Sequence, residues 1–219
     1  MLSTRIVPAI ALAALVSACA PQATRVARNV GTADHVAAPS RLATEPVNQL
    51  AAMAATAINP QIGGAQMLGT RTIAANCAAA PNLQILTRAL TASDAGRALS
   101  TAGPVTVFAP SDEAFGRMSP HAVNALLSPV NRATLNKLVN YHVVPGAITL
   151  DQLRARIDQG GGTAHLTTVE GAPLVARKEG AAVALTDANG NKSYVETPDV
   201  QQSDGVFHVI NGVMIPRLA

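Results

Sequence analysis

The sequence predicts an α+β domain, and three observations predict it. Apolar residues recur at helical spacing through the first part of the folded region, from about Thr70 to Tyr141. Short β-rich runs follow from about Thr163, separated by turn dipeptides. Helices gathered ahead of strands are the arrangement of an α+β fold. At 219 residues the chain holds one ordinary domain plus appendages. Hydrophobic residues make up 48%, aromatics only 2% with no Trp, so the expected core is aliphatic.

Near the start of the sequence a single positive charge, Arg5, precedes an apolar run from Ile6 to Val16 broken only by Pro8, which has the form of a secretory leader. It is short of the roughly 20 apolar residues that span a bilayer. The run closes in Leu15-Val16-Ser17-Ala18-Cys19, which resembles the bacterial lipobox, where small residues precede a cysteine that becomes lipidated and N-terminal after cleavage. The competing readings are an ordinary signal peptide cut before Cys19 or Ala20, or an uncleaved buried cysteine. The resemblance implies lipid on Cys19, and Ala20 in place of Asp after it implies the outer membrane of a Gram-negative envelope. With Cys19 acylated, Cys77 is the one thiol left, so no intramolecular disulfide forms and the domain folds on packing alone. Cys77 lies in an Ala-rich helical stretch and is expected to act as a small buried hydrophobe.

Residues 1–18 are therefore expected as signal peptide, 19–66 as lipidated N-terminus and Ala/Thr/Pro-rich linker, and 67–219 as the folded domain. Within the linker, Val47, Leu50, Ala51, Ala54 and Ile58 fall at helical spacing after Pro46, which predicts a short helix. From Thr70 to Ala102 the apolar pattern predicts successive short helices, broken at Pro81 and Gly103-Pro104. Val105 to Phe108 is strand-like, and Pro110-Ser111-Asp112-Glu113 supplies a break, a capping hydroxyl and two acids for a helix N-terminus. Ser119-Pro120 and Ser128-Pro129 each predict a capped helix start. The second of these helices carries Leu135, Leu138 and Val139 into Tyr141-His142-Val143-Val144, with a turn at Pro145-Gly146. Thr149 caps a last helix through Arg156, and Gly160-Gly161-Gly162 is a loop. Turns at Glu170-Gly171, Glu179-Gly180, Asn189-Gly190 and Asp204-Gly205 separate the strands.

Three blocks of the chain resemble signatures of the fasciclin family. Thr106-Val107-Phe108-Ala109-Pro110-Ser111-Asp112-Glu113-Ala114-Phe115 resembles the first, Tyr141-His142-Val143-Val144-Pro145-Gly146 the central block, and Gly205-Val206-Phe207-His208-Val209-Ile210-Asn211-Gly212-Val213-Met214-Ile215-Pro216 the last. Thr72-Ile73-Ala74-Ala75-Asn76 is similar to the opening helix. The resemblance implies a wedge of two β-sheets with short helices along one edge, and it implies adhesion or matrix binding without a shared catalytic site. In some animal members the Tyr-His block is proposed to contact integrin, so Tyr141 and His142 are the candidate interaction surface here, with a protein or glycan as the expected partner.

The remaining residues are weighed against catalysis, metal binding and nucleic acid. The sequence pI is 9.2, but from Met67 onward 12 Lys and Arg face 11 Asp and Glu, so the domain lacks the basic stripe of a phosphate binder. The few aromatics leave little for stacking bases. A hydrolase would use Ser111 with His142 or His208 and Asp112 or Asp204, yet Ser111 has no Gly-x-Ser-x-Gly elbow and stands where an N-cap is expected. His35, His121, His142, His165 and His208 occur singly, so no metal site and no cofactor are expected. A periplasmic carrier of a small apolar ligand is the alternative to the interaction reading.

Overall fold

The computed structural model describes residues 52–99 and 103–217. The readings on the leader, on Cys19 and on the linker up to residue 51 lie outside the described residues. Residues 52–56 are helical, followed by a hairpin of β1 (Gln61–Ile62) and β2 (Ala65–Gln66). Three helices come next: α1 (Ile73–Ala79), α2 (Gln84–Ala92) and α3 (Ala95–Leu99). Strand β3 (Val105–Pro110) leads into α4 (Asp112–Gly116), α5 (Pro120–Leu126), a 3-10 turn at Pro129–Asn131 and α6 (Arg132–Tyr141). After β4 (Val143–Pro145) and α7 (Leu150–Gln159) the chain is all strand: β5 (Ala164–Thr167), β6 (Pro173–Glu179), β7 (Ala182–Thr186), β8 (Lys192–Gln202) and β9 (Gly205–Ile210).

The seven larger strands run in the order β4-β3-β9-β8-β7-β6-β5, antiparallel except for the parallel pair β3 and β9. Strand β8 joins two halves. Its first residues pair with β7 and its later ones with β9, and early in the β9 pairing the register breaks at Val195/Thr197 and Thr197/Val200. This break turns one sheet into the two faces of a wedge, as a bulge bends the strand that carries it. Asp199 sits in the break at φ 59, a left-handed conformation rare outside glycine but open to Asp. Its carboxylate accepts from Leu150 N at 2.7 Å and its own N–H donates to His208 Nδ1 at 3.1 Å, so the strained residue ties α7 to β9.

Two apolar cores fill the wedge. The first gathers Ile73, Cys77, Leu83, Leu86, Phe115, Leu135 and Phe207 between the helices and β3/β9. The second gathers Phe108, Tyr141, Leu153, Ile157, Leu166, Leu174 and Leu185 beneath α7. Cys77 is fully buried, and burial with the neighbouring Asp204 charge pushes its thiol up to about 12, so it packs as the sequence predicts.

Helix starts follow local chemistry in most cases. Thr72, Ser111 and Ser119 each accept from the backbone N–H three residues on, and Thr149 forms a reciprocal capping box with Gln152. Ser128 departs from expectation. It makes no side-chain cap; Pro129 opens a 3-10 turn, and α6 starts only at Arg132. Helix α7 runs three residues beyond Arg156, to Gln159.

Residues upstream of the expected boundary at residue 66 also pack on the domain. Ala54 and Ile62 are buried, and any Cβ at Gly69 would stand 1.7 Å from Ala54 O. Asn59 explains why this segment stays attached. Its side-chain amide donates to Gln201 O and accepts from Gln201 N, both at 2.8 Å, pairing with β8 as a strand would. Ile58, expected on the apolar face, is instead 99% exposed, because Asn59 and not Ile58 turns toward the sheet.

Candidate interaction surface

Helix α6 buries Leu135, Leu138 and Val139, and this stripe carries its last residue, Tyr141, and its C-cap, His142, into the interior. Tyr141 is 0% exposed and His142 2%. Neither ring is presented to solvent in this structure: the same apolar face that makes α6 a helix of this core takes both inward. What they do instead is hold the surface above them.

The Tyr141 hydroxyl donates to Pro173 O at 2.9 Å and accepts from Ala188 N at 3.0 Å, so one oxygen joins the start of β6 to the β7–β8 turn. Burial pushes the phenol above its ordinary value. His142 Nε2 accepts from Met214 N at 3.0 Å, which leaves the ring proton on Nδ1, 2.8 Å from Leu138 O. Both nitrogens are spent on backbone. Burial holds the imidazole at about 4, against the weaker pull of the Leu138 carbonyl and the Asp187 charge.

Asp187 completes the arrangement. Its carboxylate accepts from Asn189 N, Asn191 N, Asn191 Nδ2 and Ile215 N at 2.9 to 3.0 Å, locking the β7–β8 turn to the C-terminal segment. Over this frame lies a groove of about 380 Å³ with Pro173, Val175 and Ala188 along it and Glu170 and Arg217 at its rim. Arg217 is exposed and Glu170 half-exposed, so the groove carries one exposed cation and one accessible anion beside the buried Asp187 carboxylate, over an apolar floor. Sequence reading missed Asp187, Glu170 and Arg217. The Asp-x-Asn-Gly spacing at Asp187 was the available signal for the first, as an Asx turn; nothing local marks the other two.

The residues weighed for a hydrolase are each bonded to backbone. Ser111 Oγ accepts from Ala114 N as an N-cap. Asp112 accepts from Gln84 N and Ile85 N at the start of α2, and Asp204 from Ile73 N at the start of α1. His208 donates through Nε2 to Ile148 O at 2.9 Å, accepts at Nδ1 from Asp199 N, and stacks on Phe108 at 5.6 Å. Burial depresses its pKa too, opposed by the Ile148 carbonyl and Asp199. Each candidate serves a backbone group.

The fasciclin domain model matches residues 81–216, more than half of the chain. The chain belongs to the fasciclin family. Protein sll1483 of Synechocystis sp. is 35% identical over 79% of this chain and 89% of its own length, and a second Synechocystis protein is 31% identical over 59% and 86%. Transforming growth factor-beta-induced protein ig-h3 of Sus scrofa is 29% identical over 62% of this chain, which spans only 18% of that protein. Among solved structures, a FAS1 domain pair from the insect cell adhesion molecule fasciclin I superposes with a TM-score of 0.58 at 20% identity, covering 69% of this chain and 52% of that one. The fasciclin fold, with its two sheet faces and edge of short helices, is thus the architecture expected from the three sequence blocks. The matched region begins after α1, so the Asn59 clip lies upstream of it.

Proposed function

We propose that this chain is a lipid-anchored interaction module of the bacterial cell envelope, held by Cys19 and presenting the groove over Tyr141 to a protein or glycan partner. The carrying observation is that every side-chain polar atom of Tyr141 and His142 is spent on backbone, so these two residues shape a surface and keep no free group for a reaction. Support for adhesion comes from the family and from its occurrence in an insect cell adhesion molecule. The carrier alternative draws no such support, since Phe108, Tyr141, Leu153 and Leu174 fill the second core.

The anchor reading rests on Leu15-Val16-Ser17-Ala18-Cys19, and Ala20 favours the outer membrane. A bacterial lipoprotein carries several acyl chains, enough for firm attachment. Cys19→Ser should release the protein from membranes under high salt and alkaline washing, and equal retention would contradict the anchor. The groove is tested by affinity capture from envelope extract with the full chain. Arg217→Glu should lose the one stoichiometric protein or glycan that wild type retains; equal recovery by both would contradict the groove reading.

A further inference from the structure

A second surface lies on the helical edge, and it rests on none of the residues around Tyr141. Between α2 and α5 runs a furrow made of two adjoining grooves, about 280 and 340 Å³, that share Arg88. Ile85, Phe115, Met118 and Val123 line the first, Ala92 and Leu127 the second. Ile85, Met118, Val123 and Leu127 are only partly buried, so they present apolar surface without covering it. Just beyond Leu127, Val130 stands 91% exposed.

Arg88 is exposed at the middle of this furrow and has no ion pair among the described residues. The acids near it are engaged elsewhere. Glu113 pairs with Arg117, and both carboxylate oxygens of Asp112 cap α2. Charge is also unevenly divided: residues 70–141 hold six Lys and Arg against three Asp and Glu, whereas residues 142–217 hold six against eight. The furrow therefore lies on the positive half of a nearly neutral domain.

We propose that this furrow docks an amphipathic peptide helix of a partner protein, with one carboxylate on Arg88 and apolar side chains in the grooves to either side. The position of the charge selects the occupant. A phospholipid carries its charge at one end of its apolar chains, but Arg88 lies between two apolar grooves. A helix with an acidic residue flanked by apolar residues at i±3 or i±4 places the three groups in that order. The carboxylate gives orientation and specificity, and the apolar side chains give the affinity.

The test uses the full chain carrying Cys19→Ser and a fluorescent dodecapeptide with leucines at helical spacing on both sides of one glutamate. Its twins carry Gln or Lys in place of that glutamate. The Glu peptide should bind at least about tenfold more tightly than the Gln twin. Arg88→Glu should lose the Glu peptide and gain the Lys twin, while Arg88→Gln should bind Glu and Gln peptides alike. Arg217→Glu should leave all three affinities unchanged. Equal binding of the Glu and Gln peptides by the wild-type chain, or binding of neither, overturns the proposal. Binding to phosphatidylglycerol vesicles that Arg88→Glu abolishes, with no binding of the Glu peptide, also overturns it in favour of a membrane surface.

Discussion

His142 at the end of α6 and His208 in the middle of β9 are both buried, both neutral and both bonded twice to backbone, yet they carry their proton on opposite nitrogens. At His142 an incoming amide, Met214 N, claims Nε2 and leaves the proton on Nδ1. At His208 the incoming amide, Asp199 N, claims Nδ1 and leaves it on Nε2. The tautomer is set by which side of the ring meets an N–H, not by the residue's place in a signature block. The difference also separates their roles. His208 stabilises a strained bulge inside the sheet, whereas His142 ties the C-terminal segment to the helix whose next-to-last act is to place Tyr141 under the groove.

The comparison breaks most visibly if His142 is removed. His142→Ala deletes a buried ring and strands Met214 N and Leu138 O, so a loss of about 4 kcal/mol in urea unfolding is expected. A loss under 1 kcal/mol would show that the ring is not a structural tie.

Acid should act on the same node. The folded pKa of about 4 lies below the ordinary 6.5, so His142 contributes stability in full above pH 6.5 and loses it as pH falls toward 4. The full span corresponds to about 3 kcal/mol. His208 shifts in the same direction and adds to the slope. Urea midpoints measured from pH 7.5 to 4 should fall more steeply for wild type than for His142→Ala, and parallel slopes would assign the acid loss elsewhere.

Smaller effects sharpen the boundaries of the folded unit. Asn59→Ala leaves Gln201 N and Gln201 O without their side-chain partner and should cost about 2 kcal/mol. It should also speed proteolytic cleavage within residues 52–66, whereas an unchanged melting temperature would support a domain boundary at residue 66. Tyr141→Phe keeps the ring and removes the bridge between Pro173 O and Ala188 N, for about 1.5 kcal/mol. Its stability change should be the smallest of the series, with partner capture reduced because the groove loses its fixed width.

Much of the fold was legible because its signals are local. Ser111, Ser119 and Thr149 announce their helices within three residues, and each strand turn carries its own Gly. Ser128 misled because Pro129 suits a 3-10 turn as well as a helix start, and Asn131 Nδ2 donates back to Ala125 O and holds that turn. The clip at Asn59 was hidden by distance: its partner Gln201 lies 142 residues away, and a polar, Ala-rich neighbourhood has the composition of a tether. At the candidate site the spacing of Leu135, Leu138 and Val139 marks the buried face of α6, but the block's resemblance drew attention to Tyr141 and His142, whose side chains follow that face inward. Glu170 and Arg217 come together only through two turns and the C-terminal segment, which no spacing in the sequence records.

The surface is shaped from within only if His142 is a buried, neutral, doubly bonded ring, and nitrogen-detected NMR of the imidazoles between pH 7.5 and 5 measures this. The expected result is an Nδ1–H signal pattern for His142, an Nε2–H pattern for His208, and a His142 ring still mostly neutral at pH 5. An His142 ring that titrates near 6.5 with averaged tautomers would place it in solvent and contradict the claim that it shapes the surface from within.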